Sequence, residues 1–264
     1  MGFRIKRFIA LIFDYLGISN LLIKCLNKKY KNEYIRIINY HDVLISEKEN
    51  FEQQLKFYKD NFSNINYDSF TKFLDGDFII KEKPGIMITF DDGYKGNYSV
   101  AADLLDKYNL TGYFMISSDL VGKENYMTIA ELKDLISRGH VIGDHTATHH
   151  RMNSDDSDEI LNYEINTSKI KLEEMLECPV DIFCWCGGEE KHYTKSASDI
   201  IKKTNYKYGF MTNSFPVTSK TNHFQIQRTN IESGWSLSLL KFQISGFMDK
   251  KYEKKRNRVN KITR

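Results

Sequence analysis

The sequence predicts an α/β protein, a closed or nearly closed barrel of parallel strands with helices outside. Short β-branched and aromatic runs alternate with helical apolar spacing along most of the chain, and strands separated by helical crossovers run parallel. A length of 264 residues suits one such barrel as a single folding unit. The unusual polar residues fall at the C-terminal ends of the strand candidates, where barrels of this kind carry their sites. These are His41 after "IRIINY", Asp91 and Asp92 after "IMITF", and Asp144 and His145 after "HVIG".

The first strand candidate is "EYIRIINYHDV", by its β-branched and aromatic content, and "NFEQQLKFYKDNF" follows as a helix by its 3–4 residue apolar spacing. "PGIMITF" reads as a buried strand, "SVAADLLDKYN" as a helix and "TGYFMIS" as the next strand. In "TIAELKDLISRG", Thr128 and Glu131 form a capping box and Gly139 is the stop. The short strand "HVIGD", a helix over 159–177, the strand "DIFCWC", the helix "SASDIIKKTN" and the strand "YGFMTN" complete the alternation.

The net charge of +3 hides basic ends. Residues 1–31 hold seven Lys/Arg against Asp14, and residues 248–264 hold eight against Asp249 and Glu253, so the middle is acidic. Three regions follow: basic amphipathic helices over 1–31, a barrel over 32–247 and a basic tail over 248–264. In residues 3–26 apolar side chains recur at helical spacing, with a break at Gly17. Such a basic amphipathic helix can lie on an anionic membrane or pack on the domain. The tail is either a second surface contact or a solvated, partly disordered end. The acidic middle, with no interleaved aromatic and basic motif, argues against a nucleic-acid partner.

The apolar run "FIALIF" stops at Asp14, far short of a bilayer span, with no small-residue cleavage site after it. A cytoplasmic location, peripheral at the inner face of the membrane if the ends bind lipid, is the expectation. Cys25, Cys178, Cys184 and Cys186 lack the spacing of a disulfide framework or a redox pair and read as free thiols.

Asp91 and Asp92 close a buried strand, and Gly93 turns the chain directly after them. Neighbours on a strand point to opposite faces, so one carboxylate can ligate a metal while the other stays free as a base. His145 and His149 are spaced to share one face of a helical turn and one metal ion. With Asp92 they make a two-histidine, one-carboxylate set that leaves positions open for water and substrate. The donors suit Zn²⁺, or Co²⁺, Ni²⁺ or Mn²⁺.

"TFDDG", "HTATH", the upstream "NYHDV" and the phrase "MTIAELKDLISRGHVIGDHTATH" resemble the polysaccharide deacetylases of carbohydrate esterase family 4, which include the nodulation-type chitooligosaccharide deacetylases. The resemblance covers residues 35–233. It implies a distorted (β/α) barrel of about seven strands and metal-dependent removal of acetyl groups from sugars, with Asp91 as the base and Asp92, His145 and His149 as metal ligands. "FCWCGG" resembles the family's F-x-Y-P-Y-G variant, with Trp185 in the first tyrosine position and Gly187 in the second. That implies substrate or oxyanion contacts from Trp185, Gly187 and Gly188. The Leu-x-His that usually supplies the acid is absent.

Arg228 in "QIQRTNI" resembles an arginine that orients the base, or it is a surface residue ending an edge strand. His41 is the best candidate for the acid and His223 a weaker one; His140 packs behind the site, and His150 and His192 look exposed. The expected function is N-deacetylation of an acetamido sugar, free or in a lipid-linked glycan, during surface-polysaccharide or lipopolysaccharide assembly. Hydrolysis of a non-sugar amide or O-acetyl ester is the alternative within enzymes, and a catalytically weak sugar-binding relative is the alternative outside them.

Overall fold

In the computed structural model, which describes residues 2–264, β1 (Ile35–Tyr40), β3 (Gly85–Phe90), β4 (Gly112–Ile116), β5 (Val141–Asp144), β6 (Ile182–Cys184) and β7 (Tyr208–Met211) form a parallel sheet. The strand order is β8-β7-β6-β5-β4-β3-β1-β9, with the short β2 (Ser63–Asn64) paired to β3 off this path. The last two strands, β8 (Ile226–Gln227) and β9 (Thr229–Asn230), are separated only by Arg228. β8 pairs with β7 and β9 pairs with β1, so this one stretch bridges the two open edges and closes the wall. The path therefore holds eight strands rather than the seven expected, because the closing stretch is interrupted in its middle.

The two-residue period of a strand sorts the core. Ile35, Ile37, Met87, Tyr113, Met115, Ile182, Tyr208, Phe210 and Ile226 gather in one cluster. It includes Phe70, Phe73 and Leu74 of α4 (Tyr67–Asp75), a helix the sequence reading did not identify. The intervening residues Ile38, Tyr40, Ile88, Phe90, Phe114 and Phe183 face the outer helices. Those helices include α3 (Lys48–Asn61), α5 (Asp103–Lys107), α6 (Ile129–Ser137), α7 (Asp158–Asn162), α8 (Ser168–Leu176) and α9 (Lys195–Lys203). The expected capping box is present at α6: Glu131 N–H donates to Thr128 Oγ1 at 3.3 Å, and Thr128 N–H donates to Glu131 Oε2 at 2.7 Å. The single helix expected over 159–177 is instead α7, a π-helical turn over Tyr163–Thr167, and α8.

Both chain ends are helical. α1 (Phe3–Tyr15) and α2 (Ile18–Tyr30) pack on α10 (Leu237–Ile244). The stretch expected to be a basic tail is α11 (Phe247–Ile262), and it is anchored rather than solvated. Its Asp249 accepts from both terminal nitrogens of buried Arg36 on β1, at 3.0 and 2.9 Å, and from Ser214 at 2.7 Å. Arg256, also buried, donates to the carbonyl oxygens of Asn213 and Ser214. A charge-rich stretch is held inward because its charges are paired.

Candidate active site

β3 stops at Phe90, so the backbone rather than the pleat of a strand separates the two aspartates. Asp92 has φ of 74° and Gly93 has φ of 81°, a left-handed turn that an aspartate tolerates and a β-branched residue resists. Asp91 keeps extended pairing, with its N–H donating to Tyr40 O at 2.9 Å, and turns inward. Arg228 meets it there. The strand period that places Ile226 inside also places Arg228 inside, and the guanidinium donates to both Asp91 oxygens, at 2.6 and 2.8 Å. Its first nitrogen also reaches Asn39 Oδ1 and Thr89 Oγ1. Arg228 is completely buried, so the surface-arginine alternative fails. Burial alone would raise the Asp91 carboxyl, yet the charge of Arg228 holds it below the usual carboxylate range.

Asp92 turns the other way. Its Oδ1 lies 3.3 Å from His145 Nε2 and 3.0 Å from His149 Nε2. His145 follows β5, and its Nδ1 lies 2.9 Å from Cys184 O, an acceptor that fixes the N–H on Nδ1. Nε2 therefore faces the Asp92 oxygen, and it can meet it as a protonated donor or, deprotonated, share a cation with it. Buried Asp92 Oδ1 has no hydrogen-bond donor among the described residues. The donor set fits a divalent cation held by Asp92, His145 and His149. Burial works against the Asp92 charge, but the two imidazoles hold its carboxyl well below the usual range.

The His-x3-His pair does not lie on a helical turn as expected. Residues 145–150 form a loop with φ of 64° at both Thr146 and His149. Glu164 in the first π-helical turn after α7 holds this loop, accepting from Thr148 N–H at 2.9 Å and from Thr148 Oγ1–H at 2.7 Å. The imidazole rings still meet, with centroids 5.2 Å apart. Two thiols lie close by: Cys186 Sγ groups within 4.8 Å with the nitrogens of His145 and His149, and Cys184 Sγ with Asp91 and His145. Cys186 Sγ is already engaged with His145 O at 3.2 Å, and burial pushes the Cys184 thiol up to about 11, so the carboxylate is the better third ligand.

Asp91, Asp92, His145 and His149 line a pocket of about 530 Å³ that also includes His41, Gly187 and Gly188. His41 and both glycines thus lie at the pocket wall, beside the two aspartates and two histidines. Trp185 does not: it is 2% exposed and packs in the core against Phe183 and Tyr193, because it stands one residue beyond β6 on the outward side. His223 lies away from the pocket, against Tyr208 at the opposite end of β7. His140 sits at the start of β5 and accepts from Gly112 N–H. His192 is buried rather than exposed, with Nδ1 2.8 Å from Met152 O, and His150 is paired with Asp156 at 2.9 Å.

The pocket also holds residues the sequence reading missed, among them Tyr94, Arg151, Thr212, Tyr252 and Lys255. Tyr252 and Lys255 come from α11, and Lys255 donates to Gly188 O across the pocket wall. Gly187 has φ of 75°, and its N–H donates to no acceptor among the described residues.

A barrel with two aspartates and two histidines at its C-terminal rim defines a class of hydrolase, and comparison with known proteins gives the family. The polysaccharide deacetylase family model matches residues 80–209 and bears out the family resemblance read from the sequence. YxkH of Bacillus subtilis (strain 168), named as a polysaccharide deacetylase, is 25% identical over 215 residues, covering 79% of this chain and 75% of its own. The peptidoglycan-N-acetylmuramic acid deacetylase PdaA of the same organism is 35% identical over 81 residues, 30% of this chain and 29% of its own. The deacetylase PplD of Streptococcus pyogenes, solved in complex with acetate, superposes with a TM-score of 0.70 at 23% identity, over 80% of this chain and 98% of its own. That likeness establishes the shared barrel fold.

Proposed function

We propose that the protein is a metal-dependent hydrolase that removes the acetyl group from an N-acetylated sugar in a glycan or glycan precursor, in surface-polysaccharide or lipopolysaccharide assembly. The observation that carries the reading is the convergence of Asp92, His145 and His149 on one point, with Asp91 Oδ2 4.0 Å from the same His145 nitrogen. A bound divalent cation, zinc being the leading choice for these donors, would acidify a water molecule and polarise the acetamide carbonyl.

The chain's own groups supply the rest. Asp91 accepts a proton from the attacking water, whose oxygen bonds to the carbonyl carbon. Arg228 acts through Asp91, keeping it ionised and aimed. Gly187 lines the pocket, and its N–H is the donor we assign to the carbonyl oxygen as it gains charge. His41, on the same rim, delivers the proton that the departing amine needs when the C–N bond breaks. Acetate and a free amino sugar leave.

Acetate release tests the proposal, using zinc- or cobalt-loaded protein on N-acetylglucosamine oligomers, peptidoglycan fragments, nucleotide sugars and lipid-linked glycans, with O-acetyl esters alongside. The expected result is release from at least one N-acetyl substrate that stops on chelation and returns with metal. Release from esters alone would favour the ester alternative, and no release by metal-loaded protein would leave a sugar-binding role.

A further inference from the structure

The first helix is apolar on two sides, and the barrel uses only one. Ile9, Ala10 and Phe13 of α1 pack with Leu239, Phe242 and Met248, and Lys6 lies over the Trp235 ring at 4.2 Å. On the other side Ile5, Phe8, Leu11, Tyr15 and Leu16 are 58%, 64%, 55%, 91% and 60% exposed, and Leu21 of α2 is 60% exposed. Large apolar side chains repeated at this helical spacing form a contiguous patch of the sort that marks an interaction surface.

Charge identifies what covers it. The one acidic residue in this hairpin, Asp14, is committed to Ser238 at 2.7 Å and Lys241 at 3.1 Å on α10. Arg4, Arg7, Lys24 and Lys28 are all exposed, so the charges that α1 and α2 present to solvent are all positive. A second copy of the chain would bring the same positive charge against itself. Anionic headgroups would neutralise it, while the acyl boundary takes up the apolar row.

No single helix among the described residues is long and apolar enough to cross a membrane. The pair α1 and α2 reaches that length and composition together but is bent by 80°, and α1 lies along α10. The patch also adjoins the rim of the site. Phe3 contacts Trp235, which follows β9, with ring centroids 6.2 Å apart. In the same connection Ser233 Oγ donates to Asp42 O, next to His41. Leu44 and Ile45, just beyond, are 50% and 72% exposed.

We propose that α1 seats the protein on an anionic lipid leaflet, with the rim of the pocket beside the bilayer. The test is co-sedimentation of the full chain with vesicles of phosphatidylcholine alone and of phosphatidylcholine with phosphatidylglycerol. Binding to the anionic vesicles should exceed binding to the neutral ones by about tenfold or more and fall as salt is raised. Phe8→Glu with Leu11→Glu, both at exposed positions, should lower that binding by about tenfold or more without moving the thermal midpoint. Arg4→Gln with Arg7→Gln should erode the preference for anionic vesicles. Wild-type protein that stays in solution with anionic vesicles would overturn the proposal. So would equal binding of wild type and the glutamate variant, or a vesicle-free dimer that the glutamate variant disperses, which would make a second copy the occupant.

Discussion

Asp91, nearly buried at the pocket floor, keeps a negative charge because Arg228 reaches both of its oxygens. Replacing the arginine removes the favourable charge and leaves a buried carboxylate alone, so Arg228→Gln should cost about 3–5 kcal/mol of stability. The lost cation also raises the pKa of Asp91, and the acid limb of the kcat/KM profile should move to higher pH, with kcat reduced more than KM is changed. A surface role for Arg228 would move neither the limb nor the thermal midpoint. Some of this was legible from residues alone. Two charges closing a buried strand demanded partners, and a histidine pair downstream offered some. The inward aim of Arg228 was hidden because its strand is two short pieces with no apolar run to reveal the period. Trp185 was misplaced because motif alignment supplies an order of residues and not the side of the strand on which each falls.

At the scale of elements, α11 departs most from the sequence reading. Met248, Asp249, Tyr252, Arg256 and Val259 form its inward stripe, yet two of these positions are charged, so the helical apolar pattern was obscured. The consequence is measurable. Asp249→Ala leaves Arg36, 1% exposed, without its carboxylate, and should destabilise the protein by about 3–5 kcal/mol in denaturant titration. A solvated tail would show no change. The loop over 145–150 teaches the same lesson in reverse: the spacing of the histidines was informative, but the two left-handed residues and Glu164, not a helical turn, bring the rings together.

For the molecule as a whole, alternation of strands and helices was readable because each buried strand is nearly all apolar, and the barrel follows from that alternation. Its closure was not, since it depends on the interrupted stretch around Arg228. The site's burden of charge also sets how the whole fold responds to acid. Asp92 titrates below its unfolded value, so its ionised form contributes stability above about pH 4 that is lost as pH falls through the folded pKa. In chelated protein, the gap in thermal midpoint between wild type and Asp92→Asn should therefore be full above about pH 4 and shrink steadily as pH falls below it. A constant gap would mean that the carboxylate is not held ionised by its neighbours.

The division of labour between the two aspartates is the central claim, and paired metal content and acetate release on Asp91→Asn and Asp92→Asn test it most directly. Asp91→Asn should retain one metal ion per chain and lose release by a factor of about 10² or more. Asp92→Asn should lose both the ion and the release. Full activity in Asp91→Asn, or undiminished metal affinity in Asp92→Asn, would contradict the account.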